Sequence, residues 1–273
     1  MDRIRRLPTG VVWGFGALPL TTAETFHRVR RVAPTARVVG LEIDAARVAA
    51  AVPWARAGLE FRRGGFELAG LTGRATAIRA FNVLRQYPEV AVPGAWELLR
   101  AGLAPGGLVL EGTSNEVGRR AVWVTLDRSG PLTLTFSWAM AQVEPPSAIA
   151  ERLPKVLIHH NVPGQPIHAL LTACDRAWAS SAAHGVFGPR VRWRAMMEML
   201  AAQGLPVTTR GGDRGARRGA VSGGPHRGGQ ARGRAEARGA DAGRADRRDR
   251  DIRTTVAGHR RARHQGPADP GAG

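Results

Sequence analysis

The chain has 273 residues, with 40 Lys and Arg against 22 Asp and Glu for a formal charge of +18, a length that admits one sizeable core or two small ones. Cys174 is the only cysteine, which excludes an intrachain disulfide and a multi-cysteine metal site and fits a reducing, cytoplasmic setting. No apolar run approaches the roughly 18–20 residues that span a bilayer, so no membrane is expected as a partner.

The residue types divide the chain in two. From Thr208 to Gly273 there is no Leu, Met, Phe, Tyr or Trp, and only Val221, Ile252 and Val256 are large aliphatics. Ordering a backbone costs roughly 1–2 kcal/mol per residue, and this Arg/Gly/Ala-rich segment has little apolar surface to offset it. It is therefore read as a disordered tail over 208–273 behind a folded domain over 1–207. The domain holds 24 basic and 15 acidic residues and the tail 16 and 7, so each contributes +9. Two further readings of the tail stay open. Its arginines suit nucleic-acid phosphates, although it lacks aromatics and is diluted with aspartates, so this partner is not favoured. Its composition is also what GC-rich DNA yields when read out of frame.

Arg3, Arg5 and Arg6 followed by the apolar stretch Gly10–Leu20 imitate a signal peptide. Three glycines and a proline interrupt that stretch and no small-residue cleavage pattern follows, so it is assigned to the first structural unit instead.

In chain order, Gly10–Trp13 reads as a buried strand entering a turn at Gly14-Phe-Gly16. Thr21 and Glu24 have the spacing of a capping box ahead of Phe26, Val29 and Ala33 at helical intervals. Arg37–Leu41 is the next strand, ended by Glu42, and Asp44 caps a helix over Ala45–Val52, giving the opening β-α-β of a parallel sheet. Leu59–Arg62 and Ala75–Ile78 are weaker strand signals. Trp96, Leu98 and Leu99 belong to a helix stopped by Gly102, and Leu108–Leu110 suits a central strand. Ala121–Leu126 and Leu132–Phe136 flank a hairpin loop at Asp127–Pro131. Beyond Pro146 the pattern turns helical, with Ile167, Leu170, Leu171, Cys174 and Trp178 on one stripe and Trp193, Met196, Met197 and Leu200 on another. These stripes read as core packing, with Cys174 an inert buried thiol.

A glycine turn between a first strand and its helix lets backbone approach a ligand, and the helix start presents unpaired N–H groups. Glu42 stands where a carboxylate accepts hydrogen bonds from ribose hydroxyls, or else serves as a solvated loop acid beside the Asp44 cap.

Four elements occur in an order that resembles the class I S-adenosylmethionine-dependent methyltransferases. They are Gly14-Phe-Gly16-Ala-Leu-Pro19, Glu42 after strand two, Asn82-Val-Leu-Arg-Gln-Tyr87 after strand four, and Leu103-Ala-Pro-Gly-Gly107 before strand five, within about residues 8–138. The resemblance implies a doubly wound, mostly parallel α/β sheet of Rossmann-like kind, ending in an antiparallel hairpin with additional C-terminal helices. It implies S-adenosylmethionine as cofactor, methyl transfer to an unidentified acceptor, and no metal. By position, Gly14 and Gly16 would hold the methionine part, Glu42 the ribose, and Phe66 and Glu67 would border the adenine. Arg79, Asn82 and Tyr87 would face the methionine end and the substrate. The sequence departs from the pattern at Val12, where many members have an acid, and at Leu18, where the third glycine usually stands. A catalytically weak member of the fold is the alternative these departures leave.

Methyl transfer from a sulfonium is an in-line displacement, needing a base only if the acceptor must lose a proton. His159 and His160 are weak candidates for that base, their plainer reading being a helix end. Glu111 and Glu116, after strand five, either line an acceptor pocket at the carboxyl edge or are solvated loop acids.

Overall fold

Five short parallel strands form the first half of a single sheet. The computed structural model describes residues 11–14, 19–69, 71, 73–139, 145–210 and 252–257. Strand β1 (Val11–Gly14) lies between β2 (Val38–Glu42) and β4 (Ala75–Phe81), with β3 (Leu59–Arg63) outside β2 and β5 (Leu103–Ser114) outside β4. The order β3-β2-β1-β4-β5 reverses direction between β1 and β4, which is the switch point where open α/β sheets bind ligands.

Both faces of this half are covered, which is why its strands read as near-continuous apolar runs. Val38 and Val39 are neighbours in β2 and point to opposite faces. Val38 packs with Ala23 and Phe26 of helix α1 (Leu20–Arg30) and Ala51 of α2 (Ala45–Ala51), alongside Leu59 and Phe61. Val39 packs on the other side with Leu41, Ile78, Val109 and Leu99 of α3 (Val92–Ala101).

Asp44 caps α2 as its sequence position suggests, accepting from the N–H groups of Ala46 at 2.8 Å and Arg47 at 3.0 Å. The capping box expected at Thr21 is not formed. Helix α1 begins at Leu20 behind Pro19, which places Thr21 inside the first turn, where its carbonyl accepts from Thr25 Oγ1 at 2.8 Å. Proline fixed at φ −71° starts the helix without a side-chain cap.

No helix follows β5. The chain reverses into β6 (Arg120–Asp127) and β7 (Gly130–Trp138), both antiparallel, so the expected hairpin closes the parallel half directly. Asp127 Oδ1 accepts from Ser129 N at 2.7 Å and Gly130 N at 3.2 Å, fixing the β6–β7 turn. A 3-10 segment (Pro146–Arg152), α4 (Lys155–Ile158), α5 (Pro166–Ser180) and α6 (Pro189–Ala202) then cover this end of the sheet. Their apolar stripes meet Val122, Phe136 and Trp138 in a second core, where the Trp138 and Trp193 rings lie 4.7 Å apart and Trp178 and Trp193 6.1 Å apart. Burial pushes the Cys174 thiol up to about 12, which keeps it protonated and unreactive.

Two strands come from the segment read as a disordered tail. β8 (Val207–Arg210) pairs with β9 (Ile252–Ala257), and β9 pairs in turn with β7, so the sheet has the order β3-β2-β1-β4-β5-β6-β7-β9-β8. The reason lies in Ile252-Arg-Thr-Thr-Val256, which is poor in apolar area yet β-branched at four of five positions. Lying between β7 and β8, β9 finds ladder partners on both sides.

Candidate functional site

A cleft of about 420 Å³ opens at the carboxyl ends of β2 and β4. Its walls come from Glu42 at the end of β2, Phe66 in the loop after β3, Arg79 inside β4, and Asn82 and Tyr87 after β4. Gly14 closes β1 opposite Leu41, a cleft residue. Gly16 lies outside the described residues.

Glu42 is held in place by its own loop. Its Oε1 accepts from Ile43 N at 2.9 Å and Asp44 N at 3.2 Å, while Oε2 stands 3.7 Å from an Arg47 guanidinium nitrogen. One carboxylate oxygen is thus engaged by backbone and the other borders the cleft beside a cation. Arg47, three residues past the Asp44 cap, was not singled out by sequence. Its signal was present, because the first turn after a capped β2–α2 loop faces the same carboxyl edge.

Phe66 packs edge-on against Tyr87, with ring centroids 5.3 Å apart, giving the cleft an aromatic wall. Glu67 is absent from that wall. It is exposed, and its Oε1 accepts from Gly65 N at 2.8 Å, closing its own turn. Asn82 adopts φ +61° and bridges to β5, accepting from Ser114 N at 2.9 Å and donating to Ser114 Oγ at 3.3 Å. Asn is among the few residues that tolerate this left-handed backbone.

Arg79 lines the cleft with its guanidinium carbon 3.7 Å from the Phe81 ring centroid. Burial lowers it to about 10, so it stays charged at neutral pH.

The two acids after strand five separate. Glu111 is 2% exposed and sits in the core, accepting from Trp96 Nε1 at 3.3 Å, so it does not line an acceptor pocket. Its register partner Ala80 shares the α3 face, which directs the side chain beneath α3. Burial pushes its carboxyl up to about 7, the Trp96 hydrogen bond opposing that rise. Glu116 is exposed in the β5–β6 turn.

His159 ends α4 and is exposed. His160 has a carboxylate partner that sequence could not show, because Glu89 lies 71 positions away: Nε2 and Oε1 are 2.9 Å apart. The contact ties the end of α4 to the loop after β4, next to Tyr87. Among the described residues no group of three or more His, Cys, Asp or Glu is placed to hold a metal, and no helix is long and apolar enough to cross a membrane.

No family model and no curated protein matches the sequence. Among solved structures, the chain is similar to the N-methyltransferase NodS from Bradyrhizobium japonicum, at 16% identity and a TM-score of 0.31, covering 40% of this chain and 59% of that one. It is similar to the glycopeptide N-methyltransferase MtfA complexed with sinefungin at 17% identity and a TM-score of 0.34, covering 41% and 50%. An O-methyltransferase family 2 protein from Planctomyces limnophilus, in complex with apigenin, gives 20% identity and a TM-score of 0.32, covering 41% and 37%. The chain thus spans less than two thirds of each of these structures. Its own strand order, with the cleft at the β2 and β4 ends, defines a doubly wound, Rossmann-like α/β fold.

Proposed function

We propose that the chain is an S-adenosylmethionine-dependent methyltransferase, with the cofactor in the cleft between the ends of β2 and β4. Glu42 carries the reading. Two backbone N–H groups fix its carboxylate at the end of β2, where Glu42 and its ion-pair partner Arg47 both line the cleft. A carboxylate preset in this way suits the two hydroxyls of a ribose.

The remaining residues fit an adenosyl ligand. Glu42 would accept from the ribose. Phe66, backed by Tyr87, offers an apolar face to a purine. Arg79, charged and within the cleft, is the match for the carboxylate of the methionine part, with Gly14 and Gly16 at the first crossover giving close backbone approach. The cleft volume falls in the range of small-molecule sites, roughly 300–1,000 Å³.

Bound there, the cofactor supplies an electrophilic methyl group on a sulfonium. This chain's residues then have to position the acceptor and keep water away, and take a proton where the acceptor is a hydroxyl or an ammonium group.

Titration calorimetry of the full chain with S-adenosylmethionine tests the reading. Saturable binding at a stoichiometry of one is expected, and no heat of binding at millimolar cofactor rejects it.

A further inference from the structure

The helical end of the molecule carries a surface unrelated to the cleft. Between α5 and α6 a short 3-10 segment, Ala182–Phe187, stands wholly in solvent, and its last two residues are apolar: Val186 is 82% exposed and Phe187 74%. These are among the most exposed large apolar side chains of the described residues.

The base of this protrusion is rigid. Ser181 is fully buried and its Oγ donates to the Trp178 carbonyl at 3.0 Å. Arg192 reaches back from α6 to donate to the same carbonyl through two nitrogens, at 3.3 Å and 2.8 Å, and its guanidinium carbon lies 3.9 Å from the Trp178 ring centroid. Gly188, at φ +95°, lets the chain turn sharply into α6. The apolar tip is therefore presented outward by a braced loop, with no sign of collapse onto the core.

Its charge is one-sided. Between Asp175 and Glu198 there is no acid, and besides the bracing Arg192 the helices that flank the tip carry Arg176, Arg190 and Arg194. Arg176, Arg190 and Arg194 are exposed. Arg190 and Arg194 are four residues apart in α6 and so share one side of that helix.

We propose that this loop is a peripheral docking tip for an anionic lipid surface, with Val186 and Phe187 entering the headgroup boundary and the arginines meeting lipid phosphates. An apolar tip between helices that carry exposed arginines has the chemistry of an interfacial anchor. Two side chains are too small for the core of a stable protein interface, which needs about 800 Å² on each partner. An aliphatic valine gives no stacking surface to a nucleic-acid base. The exclusion of a membrane on sequence grounds rested on spanning length, a criterion that a two-residue tip escapes.

Sedimentation of the full chain with vesicles tests the proposal, using phosphatidylcholine alone and phosphatidylcholine with phosphatidylserine. Binding is expected only with the anionic lipid. The double variant Val186→Ser, Phe187→Ser keeps every charge, including those of residues 208–273, and is expected to partition at least about tenfold more weakly. Replacing Arg190 and Arg194 with Gln is expected to weaken partitioning roughly fivefold for each arginine. In a Phe187→Trp variant, brominated lipid tails are expected to quench the added fluorescence. Equal binding by the double serine variant, or unquenched fluorescence with vesicles bound, overturns the proposal. So does affinity for single-stranded RNA that depends on Phe187 while vesicle binding does not.

Discussion

Asn82 clamps the ends of β4 and β5 through two hydrogen bonds with Ser114, one to its backbone N–H at 2.9 Å and one to its hydroxyl at 3.3 Å. The clamp is made from a left-handed backbone at φ +61°. Asn82→Ala keeps the strained backbone and loses both contacts, so it is expected to destabilise the fold by about 2 kcal/mol in urea. Asn82→Gly loses the same contacts but relieves the strain, and should cost about half as much.

Glu111 gives the fold a pH dependence. Its carboxyl is raised from 4.5 to about 7 by burial, so the folded state holds a proton through that window while the unfolded chain releases it. Stability therefore falls as pH rises from about 4.5 to about 7 and is level beyond, by about 3 kcal/mol in all at 1.4 kcal/mol per unit. Glu111→Gln keeps the acceptor for Trp96 and cannot ionise. Urea melts of this variant should show no decline over the window and a more stable protein than the parent at about pH 8, with little difference at about pH 4.

Gly112 is expected to admit no side chain. A Cβ there would stand 2.2 Å from the Val122 carbonyl and 2.6 Å from the Trp123 Cα, both backbone atoms of the neighbouring strand. Gly112→Ala must push β6 away from β5, at a cost of about 3 kcal/mol or more. Thermal unfolding followed by circular dichroism measures it.

Trp193 joins the C-terminal helices to the sheet through its contacts with Trp138 and Trp178 and is 1% exposed. Trp193→Ala should cost about 3–5 kcal/mol. Because the second core is built on this ring, loss of near-ultraviolet circular dichroism is expected before the parallel half unfolds.

The parallel half was legible in the sequence because each of its signals is local. Val38–Glu42, Asp44 and the Leu99 face of α3 announce themselves by apolar runs, a cap and helical spacing. Glu42 was singled out by its place after strand two and Phe66 by the family resemblance, and both line the one cleft. Signals that depend on distant partners were not legible. Glu67 has a contact within its own turn, and Glu111 was read as either a pocket acid or a solvated loop acid after strand five because sequence shows the end of a strand but not which face a side chain takes. The Glu89–His160 pair joins loops 71 positions apart. β9 escaped notice because tail composition was weighed by apolar area, whereas Ile252–Ala257 pairs through its backbone with β7 and β8.

The functional account stands or falls on the carboxylate of Glu42. Glu42→Gln retains a carbonyl oxygen to accept from Ile43 and Asp44, so the loop should persist, while the second position becomes an N–H₂ that repels ribose hydroxyl donation and carries no charge. Calorimetric titration of parent and variant with S-adenosylhomocysteine is the direct measurement. The account predicts binding by the parent and an affinity weaker by 1–3 kcal/mol, roughly 5- to 150-fold, in the variant with an unchanged melting curve. Equal affinity in the two proteins would contradict it.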